Sequence, residues 1–138
     1  MENNFEASKT LENLKKSFED EATLYFRYKF FLTIAEYEGL EKISKLLRDF
    51  AESSLDNVLG NMDFLREFND PSSLVPIGTS AQNIKSILQT EVEQYSEIYP
   101  RMAQVAREEG FSDIASWFDT LEKTKRTHSS KLQKVQSE

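Results

Sequence analysis

The stretch IAEYEGLEKISKLLRDFAESSLDN, residues 34–57, can be laid over VAREEGFSDIASWFDTLEKTKRTH, residues 105–128, at a constant offset. Gly39 then falls on Gly110, Ile43 on Ile114, Asn57 on His128 and, upstream, Tyr28 on Tyr99. Each glycine separates two segments whose apolar residues recur three and four apart, the pattern of helices joined by a glycine-ended turn. A chain that repeats this unit reads as two related helical hairpins, each with an apolar stripe to bury. The expected fold is all-α, a four-helix bundle built from those hairpins.

Composition agrees. The chain has 138 residues, 30% charged and 38% hydrophobic, with only four glycines and three prolines, the balance of one helical domain with long solvated faces. A formal charge of -7 lacks the lysine and arginine density that binding to phosphate backbones or anionic membrane surfaces requires, so neither nucleic acid nor membrane is an expected partner. MENNFEASKT lacks the basic and apolar progression of a signal peptide, and the aromatic run YFRYKFFLTIAEY is broken by Arg27 and Lys29. The expected location is cytoplasmic. Zero cysteines leave no disulfide, thiolate metal site, iron–sulfur centre or cysteine nucleophile within these residues. Glycine-rich phosphate loops, nucleophile elbows and nucleotide fingerprints are absent as well.

The punctuation places helices near residues 8–38, 40–68, 80–109 and 112–136, with a crossover over 69–79 marked by NDPSSLVPIGTS. Thr79 or Ser80 is the expected cap of the third helix and Ser112 of the fourth. Pro100 falls inside the third helix, where it predicts a kink or bulge because the apolar pattern continues through Met102 and Val105. The crossover of roughly eleven residues reaches about 40 Å at most, and the helices it serves are about 43 Å long. If the second and third helices run parallel, the connection is tight enough to open exchange of hairpins between the two chains of the expected homodimer.

At three-and-four spacing the inward stripes are Leu11 to Ala35 through Glu21, Tyr25 and Tyr28; Leu40 to Phe64 through Ser54 and Asn57; Ile84 to Val105 through Glu91 and Gln94; and Phe111 to Val135 through Lys125 and His128. All four are apolar at both ends and polar midway. Glu21, Ser54, Asn57, Glu91, Gln94, Lys125 and His128 are therefore expected in one interior polar cluster. Such a cluster is costly unless every member is paired.

Dinuclear metal sites in bundles use a glutamate from each of two helices and a Glu-x-x-His motif from each of the other two. Here FEDEATLYFRY, EVEQYSEIYPRMAQVAREEGF and LEKTKRTH resemble the first, third and fourth helices of the rubrerythrin diiron domain, of the ferritin-like family. The resemblance implies that Glu21, Glu91 and His128 stand at ligand positions and Tyr28 and Tyr99 at nearby tyrosine positions. It also implies iron-dependent reduction of peroxide or oxygen as the ancestral activity, a response to oxidative stress. The departures are Ser54 and Asn57 for the glutamate and histidine of the second helix, Gln94 for a second glutamate on the third, and Lys125 for the glutamate of the fourth. The four cysteines of the family's rubredoxin domain are not among these residues either.

A lysine among ligands is a fixed cation where a metal would sit. Lys125 can neutralise the remaining carboxylates, and Ser54, Asn57 and Gln94 can complete a neutral network. The expectation is a degenerate site without metal or cofactor, in a non-catalytic binding or structural protein. The alternative is a metal-dependent peroxide- or oxygen-reducing oxidoreductase holding one iron or manganese, or an altered pair, on Glu21, Glu91 and His128. Glu52 and Asp56 lie beside the stripe as added donors.

Overall fold

The structure, a computed structural model, describes residues 7–66 and 77–136. It falls into two compact units that divide after Pro71. The first is a hairpin of α1 (Lys9–Tyr37) and α2 (Glu41–Leu65). The second is a helix interrupted once, α3 (Ser80–Glu93), a π-helical segment (Gln94–Ile98) and α4 (Tyr99–Glu108), hairpinned to α5 (Ser112–Gln136). The all-α class stands, and helix limits agree with expectation within a few residues. Residues 69–76 of the expected crossover and the last two expected for the second helix lie outside the described residues.

Both hairpins turn alike. Gly39 and Gly110 have φ of 73° and 87°, the left-handed conformation that costs a residue with a Cβ about 1–2 kcal/mol. The amide after each glycine reaches back five residues: Leu40 N donates to Ala35 O at 3.0 Å and Phe111 N to Ala106 O at 2.7 Å. These bonds satisfy carbonyls that a helix end would otherwise leave open. The turns carry ion pairs at corresponding positions with their signs reversed, Glu36 with Arg48 and Arg107 with Asp119. Ser8 caps α1 by accepting from Leu11 N, and Thr79 with Gln82 makes a reciprocal capping box on α3. Ser112, expected as a cap, is instead the first residue of α5.

In α1 the buried Leu11, Leu32 and Ala35 lie on the expected stripe, whereas in α2 and α5 most of the residues buried within the hairpin lie one position round from it. In α2 the buried residues are Ser44, Ala51, Ser54 and Leu65, whereas Ile43, Phe50, Asn57 and Phe64 are exposed. In α5 Ala115 and Ser129 are buried and Ile114 is exposed. Small side chains let two helix backbones approach closely, and the second seam adds Ala103 and Ala106 from α4. The bulge expected at Pro100 is the π-helical segment just before it, closed by Tyr99 N donating to Gln94 O. Proline lacks an amide and its ring crowds the preceding turn, so a wider turn there relieves both. The segment also inserts one residue, which is why Glu91 precedes Tyr99 by one residue more than Glu21 precedes Tyr28.

Candidate polar site in the second hairpin

Lys125 and His128 stand three residues apart on α5 and so share a face. Opposite them, Glu91 stands in the last turn of α3, three residues before the π segment begins. Lys125 Nζ donates to Glu91 Oε1 at 3.1 Å, and His128 Nδ1 lies 3.3 Å from Oε2. Because a carboxylate oxygen only accepts, this contact is a hydrogen bond when the proton sits on Nδ1. The exposures of the three side chains grade outward, 13% for Glu91, 23% for Lys125 and 51% for His128. The carboxylate is the covered centre and the imidazole its mouth.

Neighbouring contacts fix α5 against the interrupted helix. The Arg126 guanidinium lies 4.6 Å from the Tyr95 ring centroid, a cation–π contact onto the π segment, and also pairs with Glu122 at 3.0 Å. Tyr99 stacks on Phe118 with centroids 6.3 Å apart. Gln94 keeps its Oε1 buried without a hydrogen-bond partner among the described residues, as does Ser129 its Oγ. Ser129, one residue beyond His128 and outside the expected stripe, lies on the seam within this hairpin.

The first hairpin holds the other expected positions. Glu21 is half-buried, with Oε2 covered and unpartnered among the described residues, and Ser54 is buried. Asn57 is exposed on α2, one step round from the seam, as are Glu52 and Asp56. Tyr28 packs its ring against Phe50 at 5.7 Å. Among the described residues, no three of His, Asp and Glu converge as a group that could hold a metal ion.

A family model described as Rubrerythrin matches residues 62–136, the end of α2 and all of the second hairpin. The chain belongs to the rubrerythrin family. Relatives include the rubrerythrins of Porphyromonas gingivalis, 30% identical over 132 residues covering 93% of this chain and 66% of the relative, and of Clostridium perfringens, 30% identical over 136 residues covering 93% and 70%. The putative rubrerythrin of Methanocaldococcus jannaschii is 27% identical over 154 residues, covering all of this chain and 76% of its own length. The chain thus spans about two thirds of these rubrerythrins. Among the described residues no helix is long and apolar enough to cross a membrane.

Proposed function

We propose that this rubrerythrin-family chain is a cytoplasmic binding or structural protein, and that Lys125 stands in its polar centre as an internal cation in place of metal. The observation that carries this reading is the engagement of both Glu91 oxygens, one by the Lys125 ammonium and one by the His128 ring. A divalent cation on Glu91 would have to displace a lysine 3.1 Å away, which repels it, and would find one imidazole and neutral side chains for most other donors. The donor set therefore does not fit a diiron pair. One negative and one positive charge already cancel, leaving Glu91 no need of a metal. Glu21, Ser54 and Asn57 in the first hairpin, with Gln94 in the second, are the other positions where family ligands are kept or exchanged. The chain is proposed to act as a homodimer.

A second reading keeps catalysis: a single iron or manganese held by Glu91 and His128 with Glu21, turning over peroxide or oxygen. Family membership and the adjacency of Glu91 and His128 favour it. The deciding measurement is metal content per chain by plasma mass spectrometry, on protein purified without chelator, incubated anaerobically with ferrous and manganous ions, and desalted. The first reading expects below about a tenth of an equivalent. About one equivalent, lost in His128→Ala, supports the second, and about two would overturn the ligand positions assigned above.

A further inference from the structure

The face of α1 turned away from α2 carries a row of aromatic side chains. Phe26, Phe30 and Tyr37 are 68%, 66% and 94% exposed, with the exposed Ile34 beside them. The packing of α1 on α2 does not demand this row, and the internal repeat supplies the control. At the corresponding positions of the second hairpin stand Glu97, Arg101 and Glu108. Three exposed rings where the sister helix has three charges mark a surface for contact.

The segment is also a palindrome in side-chain chemistry. TLYFRYKFFLT, residues 23–33, reads the same from both ends about Tyr28: threonine, leucine, ring, phenylalanine, base, then tyrosine, then base, phenylalanine, ring, leucine, threonine. At about 100° per residue, positions two, five and nine away on either side of Tyr28 project from the side opposite it. Tyr28 itself faces Phe50 within the hairpin. The opposite side therefore presents Glu19, Thr23, Phe26, Phe30, Thr33 and Tyr37 with two-fold symmetry, and all six are exposed.

We infer that this face binds a second copy of the chain, α1 against α1 and antiparallel, with the two-fold axis passing beside residue 28. Phe26 of each copy meets Phe30 of the other, Thr23 meets Thr33, and the Tyr37 hydroxyl donates to the Glu19 carboxylate. An isologous contact needs a self-complementary patch, and a palindromic helix face is one. Arg27 lies to the side, its guanidinium 5.7 Å from the centroid of the Phe31 ring. It falls near Lys29 of the other copy at the rim, so salt screens a repulsion and strengthens the pair. Rings of about 150–250 Å² each, largely exposed, give roughly 400 Å² per copy. That is about half of a standard interface's share, which fits a weak, reversible dimer.

The inference rests on the homodimer proposed above and names its contact. Sedimentation of the wild-type chain and Phe30→Glu across concentration tests it, together with oxidative trapping of Thr23→Cys/Thr33→Cys and each single variant. The expected result is a reversible wild-type dimer that tightens with salt and weakens at least about tenfold in Phe30→Glu. The double cysteine variant should give a covalent dimer and the singles little. Equivalent threonines of the two copies lie about 15 Å apart in this arrangement, beyond the reach of about 7 Å that a disulfide allows. A wild-type monomer at all concentrations overturns the homodimer itself. A dimer indifferent to Phe30→Glu keeps the homodimer and overturns this face, pointing to exchanged hairpins. Should circular dichroism show Phe30→Glu unfolded, the cysteine pair decides, and absence of its covalent dimer overturns the inference.

Discussion

Lys125 holds its ammonium 3.1 Å from Glu91 Oε1 with most of both side chains covered. Removing the lysine leaves a largely buried carboxylate whose other oxygen has only the His128 ring nitrogen. Breaking one partner of a covered pair costs more than deleting both, since the survivor keeps its desolvation without its compensation. Lys125→Ala should therefore lower unfolding free energy in urea by about 1–3 kcal/mol, and adding Glu91→Gln should recover part of that loss. A change within a few tenths would remove the internal-cation idea. Lys125→Glu should be worse than Lys125→Ala, because it sets a second carboxylate against Glu91. This pairing was legible in the sequence, since two residues three apart on one helix and one glutamate opposite suffice to place it. Asn57, which the repeat aligns with His128, is exposed in its own hairpin as His128 is in the other.

At the scale of elements, size decides which side chains the two helices of a hairpin bury against each other. Ser44, Ala51 and Ala115 line the seams within the hairpins, while the larger Ile43, Phe50 and Ile114 beside them are exposed. Close helix approach selects small side chains, and a serine scores as polar in any apolar count. The glycine turns were legible because a positive φ tolerates few substitutes, and they give an equally plain test. A Cβ built on Gly39 or Gly110 meets no atom within 4 Å, so the cost of substitution is entirely backbone. Gly39→Ala and Gly110→Ala should each reduce stability by about 1 kcal/mol, and Asn at either position by less, as read from denaturation midpoints at unchanged slope. The extra residue in the π segment shows the same logic at Pro100. One proline was visible, but the register it shifts for Glu91 could be seen only once the wider turn was in place.

For the whole molecule the proposed homodimer leaves a choice of how two copies hold together, and kinetics separates the two arrangements more sharply than stoichiometry. A dimer held through the aromatic face of α1 comes apart without disturbing either hairpin, whose glycine turns and small-residue seams are formed within the hairpin itself. Exchanged hairpins would have to break packed structure before a chain could leave, so mixing would be tied to unfolding rates, which for stable domains reach half-lives of hours to days. The absence of cysteine makes the experiment clean, because a thiol introduced at the exposed Lys45 carries a single label. Two Lys45→Cys preparations bearing donor and acceptor dyes should reach full energy transfer within the time of manual mixing. Added salt should slow the mixing as the rim repulsion between Arg27 and Lys29 is screened and the pair lives longer. Transfer that grows only over hours, and speeds up in mild urea, would place the contact in exchanged hairpins instead. It would also mean that the aromatic row on α1 serves a partner other than a second copy.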